Sequence, residues 1–192
     1  MSFCVYLTHP EVAIDPEVPV PDWGLSDLGR SRAGLTIDLP WAPVIRHVVA
    51  SGERKAIETA EIFASAFDLP VRTIDVLHEN DRSSTGFLPP DEFERMADAF
   101  FASPQNSVRG WEPAADAQNR IVAAVQAVLA SVPDDDPVLF SGHGGVGTLL
   151  KCHLLNTPIS RAHDQTGGGH WYLFTRQQLA EQSAKALDWV RL

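Results

Sequence analysis

The 192-residue chain is 44% hydrophobic, enough to bury one sizeable core and short for two, so a single domain over residues 1–192 is expected. A formal charge of −10 with no run of Lys or Arg argues against a nucleic-acid or anionic-membrane partner. The opening MSFCVYLTHP has neither the basic start nor the long apolar stretch of a secretion signal, and no apolar run approaches a membrane span, so a cytoplasmic protein is expected.

FCVYL (3–7) reads as a first strand, rich in aromatic and β-branched residues and closed by Thr8-His9-Pro10. The proline-rich segment 10–23 forms a loop, and a short helix follows over 25–35 with Ser26 as its N-cap. VIRHVVAS (44–51) is a second strand, followed by a helix over 53–67 whose residues 56, 59, 60, 63, 66 and 67 share one face. VRTIDVL (71–77) is a third strand ending in HEND, and the polar loop 82–90 leads to a helix over 91–103 whose Phe93, Met96, Phe100 and Phe101 face a core.

Pro113 suits the first turn of a helix running from 114 to 132, with Ile121, Ala124, Val125, Val128 and Leu129 on its buried stripe. VLFSGHGG (138–145) repeats the opening theme, a short apolar strand that runs into a histidine, and a helix begins directly after it at Val146. HWYLFT (170–175) and LDWVRL (187–192) are late strands. Strands alternating with helices imply an α/β protein of three layers, α/β/α, around a mostly parallel central sheet.

Parallel strands share one carboxyl edge, the edge where open α/β sheets hold ligands. Reactive residues recur there: His9 after the first strand, Arg54 and Lys55 after the second, Glu79 after the third and His143 after the fourth. Two histidines, a carboxyl group and cations at one edge fit phosphoryl transfer, with a nucleophile, a proton donor and donors for the equatorial oxygens. Cys4 and Cys152 lack CxxC spacing and read as buried thiols, and the scattered histidines have no metal-ligand spacing, so neither a metal nor a cofactor is expected.

The order and spacing of these segments resemble the histidine phosphatase superfamily, the phosphoglycerate mutase-like proteins. Thr8-His9-Pro10 stands where that family has Arg-His-Gly, LSDLGRSRA resembles its Leu-Thr-x-x-Gly helix start, and SGERKAIETA resembles its Ser-Pro-x-x-Arg-Ala-x-Gln-Thr-Ala segment. SGHGGV is similar to its Ser-His-Gly-Gly motif, with Gly142 looking like an insertion. The resemblance implies His9 as the nucleophile of a phosphohistidine intermediate, Glu79 as the proton donor and His143 as a donor to the phosphoryl oxygens. It implies a small phosphorylated substrate, bound around Thr8, Lys55 and Gly144, whose amide opens a helix.

Two departures weaken the expected pocket: Thr8 and Lys55 stand at family arginines, removing one charge and exchanging a bidentate fork for a point charge. Arg54 and Arg82 are the candidates to compensate, and Pro10 removes a backbone donor. Three other readings stay open. A catalytically weakened or inactive member would serve as a phosphate-ligand binding module. A mutase would need more cations than this pocket offers. GHGGVG (142–147) spells a dinucleotide fingerprint, but the acidic residue some twenty positions on, Asp164, lies in a glycine-rich loop and not at a strand end. The oligomeric state stays open.

Overall fold

Alternation within the first strand sets the layers of the fold. In β1 (Phe3–Thr8), Cys4 and Tyr6 point to one face of the sheet, while Val5 and Leu7 point to the other. The structure, a computed structural model, describes residues 2–192. Its six strands are β1, β2 (His47–Ser51), β3 (Val71–Ile74), β4 (Val138–Gly142), β5 (His170–Thr175) and β6 (Val190–Arg191), in the spatial order β3-β2-β4-β1-β5-β6. The pairs β3–β2, β2–β4 and β4–β1 are parallel, and β5 and β6 add antiparallel at one edge. This is the mostly parallel α/β arrangement expected from the alternation of elements.

The helices are α1 (Asp27–Gly34), α2 (Arg54–Ala66), α3 (Pro90–Ala102), α4 (Ala114–Ala130), α5 (Gly144–Leu154) and α6 (Arg176–Glu181). On one face Tyr6, Phe140, Tyr172 and Phe174 pack beneath α3 to α6, with Phe100, Trp111, Ile121, Val125 and Leu149 fully or nearly buried. On the other, Val5, Leu7, Val48 and Leu139 pack beneath Ala60 and Phe63 of α2 and the Trp41 loop. Burying a large side chain of this kind contributes about 1.5–3 kcal/mol, so these two layers supply most of the driving force for the fold.

Ser26 caps α1, its hydroxyl accepting from the Gly29 amide at 3.1 Å. The second strand is shorter than the reading of 44–51, because Pro43 sits in a 3-10 turn over Ala42–Val44 and pairing starts at His47. The third strand stops at Ile74, and Asp75–Leu77 turns as a 3-10 helix that swings His78 and Glu79 under the sheet edge. In α2 the buried stripe is 55, 56, 59, 60, 63 and 64, so Ala66 is exposed where the periodic reading had placed it inside.

α5 starts at Gly144, two residues before the expected Val146, because Glu79 supplies acceptors for its first free amides. α6 was not expected. Its signal is the capping box of Thr175 and Gln178, whose side chains each bond the other's backbone amide. The final strand contracts to two residues paired with His170 and Trp171.

Candidate active site

The four parallel strands deliver their following residues to one edge. His9 leaves β1 with its amide bonded to the Gly142 carbonyl of β4 at 3.0 Å, which locks the two histidine-bearing strand ends together. The His9 and His143 rings meet edge to face, 5.4 Å between centroids. Gly142 is explained by this junction, since a Cβ there would overlap the Tyr6 hydroxyl. That hydroxyl donates to the His143 carbonyl at 3.2 Å and accepts from the His143 amide at 3.3 Å, pinning the backbone of the second histidine.

His9 Nδ1 lies 2.8 Å from the Pro10 carbonyl oxygen, which can only accept, so Nδ1 carries the ring proton and Nε2 keeps its lone pair. Burial and the nearby Lys55 ammonium push the His9 pKa down to about 4, against the opposing pull of the Pro10 bond. The ring is therefore neutral near pH 7. His143 is fully buried, its Nε2 2.7 Å from the Ser51 hydroxyl, and burial holds its pKa well below the ordinary value despite the Glu53 carboxylate at 3.6 Å.

Glu79 lines the same cavity as His9. Its carboxyl group accepts from Gly145 N–H at 3.0 Å, Val146 N–H at 2.9 Å and its neighbour Asn80 N–H at 3.1 Å, so it caps the N-terminus of α5. The cavity holds about 240 Å³, and Arg82, Gly144, Gln165, Asp164, Phe93 and Trp111 contribute to its wall. Trp111, one of the loop tryptophans, thus reaches the cavity as well as the core.

The candidate cations separate sharply. Lys55 is buried, with its ammonium held by Glu53 and by the Val20 carbonyl at 2.9 Å. Arg54 lies outside the cluster: it is exposed on α2 and bonds Glu58 at 2.8 Å. Arg82 lines the cavity, with its guanidinium carbon 4.9 Å from the Phe93 ring centroid, and among the described residues it has no carboxylate partner. Thr8 is buried and takes no part in the cavity lining, donating to Gln165 Oε1 at 2.8 Å and accepting from the His170 amide at 2.9 Å.

Glu53 was not foreseen. It sits at the N-cap of α2, pairs with Lys55, accepts from the Glu79 amide at 2.8 Å and faces His143. Burial would raise its pKa, but the His143 ring, the Lys55 ammonium and the Glu79 amide overcome this and hold it at about 2. The sequence signal was a carboxylate two residues before a lysine at a helix start, which reads equally as a solvated pair. Glu53 balances the charge of Lys55, so that pair adds no net positive field around the histidines.

Both cysteines are free and buried. Among the described residues no group of three or more His, Cys, Asp or Glu side chains is placed to hold a metal ion, and no helix is long and apolar enough to cross a membrane.

A family model described as the histidine phosphatase superfamily, branch 1, matches residues 16–181, a span that starts beyond His9. No curated protein matches the chain. Solved structures of the same fold include a mycobacterial glucosyl-3-phosphoglycerate phosphatase, with a TM-score of 0.75 and 23% identity over 90% of this chain and 89% of that one. YhfR of Bacillus stearothermophilus has a TM-score of 0.74 and 22% identity, covering 90% of each chain. Phosphoserine phosphatase from Entamoeba histolytica, solved in complex with 3-phosphoglyceric acid, has a TM-score of 0.73 and 16% identity, covering 92% of each chain.

Proposed function

The chain belongs to the histidine phosphatase superfamily, and we propose that it is a phosphomonoesterase working through a phosphohistidine at His9, without a metal ion. The observation that carries this reading is the fixed tautomer of His9, whose Nδ1–H bond to Pro10 leaves an unprotonated Nε2 on a ring that lines the cavity. The Nε2 lone pair attacks phosphorus as the ester P–O bond breaks, and the leaving oxygen takes a proton from the Glu79 carboxyl. Water then attacks the phosphohistidine and returns its proton to Glu79, releasing phosphate. We assign Arg82 on the cavity wall, and the buried His143 ring that meets His9 edge to face and has no partner at Nδ1, to the charge that develops on the phosphoryl oxygens. The relatives named glucosyl-3-phosphoglycerate phosphatase and phosphoserine phosphatase support a small phosphorylated substrate.

One observation favours a second reading, a weakened or silent member that binds a phosphate ligand. Lys55 is already neutralised by Glu53, and both oxygens of Glu79 are engaged by amides. Hydrolysis of p-nitrophenyl phosphate from acid to neutral pH, compared between the protein and His9→Ala, separates the two. Loss of turnover in the variant is the expected result; equal, negligible rates together with retained phosphate binding would favour the second reading.

A further inference from the structure

Thr8 and Lys55 cannot serve as the cationic donors that the family pattern places at their positions, since Thr8 is bonded to Gln165 and His170 and Lys55 to Glu53 and Val20. A phosphoryl group bound at His9 still needs donors for its oxygens, so the same cavity wall has to offer others.

Gln165 is the best placed. The single hydroxyl proton of Thr8 has two acceptors in reach, Gln165 Oε1 at 2.8 Å and the His170 carbonyl at 3.2 Å, and the nearer bond turns Nε2 the other way. A Cβ on Gly144 would come within 2.7 Å of that nitrogen, so Nε2 stands directly over the first residue of α5. Among the described residues neither Gln165 Nε2 nor the Gly144 amide is bonded to an acceptor. Gln165 and Gly144 line the cavity together with His9. Asn80 lines the same cavity, is 6% exposed, and its buried amide nitrogen has no partner. An unmet buried donor costs about 1–3 kcal/mol, and a ligand oxygen would satisfy it.

We propose that the phosphoryl oxygens at His9 are held by a neutral donor set, the Gln165 amide with the Gly144 N–H and the Asn80 amide, and that Thr8 is the positioning residue that orients Gln165. The proposal rests on the phosphoryl-transfer reading of the site and gives the arginine-to-threonine departure a role: Thr8 is a hydroxyl that turns an amide toward the ligand. Asp164 holds the loop that carries Gln165, since its carboxyl accepts from the Gln165 backbone N–H at 2.8 Å and from the Thr148 hydroxyl at 2.8 Å. A set dominated by neutral donors suits a phosphoryl group of low charge better than a doubly charged ligand.

The test is equilibrium binding of inorganic phosphate and of orthovanadate to the full chain, followed by calorimetry, for the wild type, Gln165→Glu, Thr8→Val and Thr8→Ser. Gln165→Glu keeps the shape and replaces the donor with an acceptor, and it should weaken both ligands roughly tenfold or more. Thr8→Val should weaken them severalfold by releasing the amide, and Thr8→Ser should restore wild-type affinity, a rescue that a purely structural role for Thr8 would not predict if all four melt alike. Unchanged affinity in Gln165→Glu and Thr8→Val, with wild-type binding intact, would overturn the donor set and leave the phosphatase reading standing. Binding that follows the predicted order without His9-dependent turnover would overturn the phosphatase reading alone. No binding by the wild type would overturn both.

Discussion

Glu53 and Lys55 form a buried ion pair whose carboxylate also faces His143 at 3.6 Å and accepts from the amide of Glu79 at 2.8 Å. One carboxylate therefore touches the ammonium, the second histidine and the segment that carries the acid. It occupies donors that an incoming phosphoryl group would otherwise use.

Glu53→Gln keeps the volume and a carbonyl acceptor but removes the negative charge. The local field gains one positive charge, so phosphate affinity should rise by about tenfold or more, which is about 1.4 kcal/mol or more. The same change leaves the buried Lys55 ammonium partly unpaired, and stability should fall by roughly 1–3 kcal/mol. Calorimetric phosphate binding and thermal melts of the variant read both; tighter binding with a lower Tm is the expected pattern, and weaker binding in a folded variant would speak against it.

Arg82 and Arg54 should behave differently. Arg82 lines the cavity and is unpaired among the described residues, so Arg82→Ala should lower kcat/KM on a phosphate ester by roughly 10- to 100-fold. Arg54 makes an exposed bond to Glu58, and Arg54→Ala should leave kcat/KM unchanged and stability within about 0.5 kcal/mol. Steady-state kinetics of the two variants side by side decide which arginine faces the substrate.

The acid behaviour follows from the two histidines and Glu53. A ring whose pKa falls on folding stays neutral in the folded protein while the unfolded chain takes up a proton. For His9, stability is fully present above its ordinary value of 6.5 and is lost as the pH falls from there toward about 4. His143 shifts in the same direction, and Glu53, lowered from 4.5 to about 2, adds a further loss as pH falls below 4.5. Thermal melts should therefore show Tm falling steadily from neutral pH into acid. The neutral form of His9 persists across that range, so kcat/KM should hold as long as the fold does, with its acid limb set near pH 4.

Glu79→Gln should separate leaving groups. p-Nitrophenolate departs with little help from an acid, so hydrolysis of its ester should fall less than about tenfold, whereas an alkyl phosphate should lose roughly 10²- to 10⁴-fold. Because Glu79 also caps α5, Gln should cost about 1 kcal/mol of stability as well. Equal losses on both esters would assign Glu79 to the helix cap alone.

The sheet was legible because the strands are short apolar runs ending in polar residues, and β1 and β4 both stop at a histidine for the reason visible in the structure. The placement of His9, Glu79 and His143 at one edge followed from parallel topology. What escaped was pairing. Residues 54 and 55 are about 100° apart on a helix, and of the two it is 55 that lies nearer the stripe of 56, 59, 60 and 63. The Val20 carbonyl that holds Lys55 lies 35 positions back, and the amide that Thr8 orients lies 157 positions on, in loops whose meeting local patterns do not record.

The central claim is a covalent phosphohistidine at His9. Rapid quenching during turnover of a phosphate ester, followed by intact-protein mass measurement and mapping of the adduct, tests it directly. One acid-labile phosphoryl group on His9, absent from His9→Ala, is the predicted result. Turnover with no adduct, or the same adduct in His9→Ala, would contradict it.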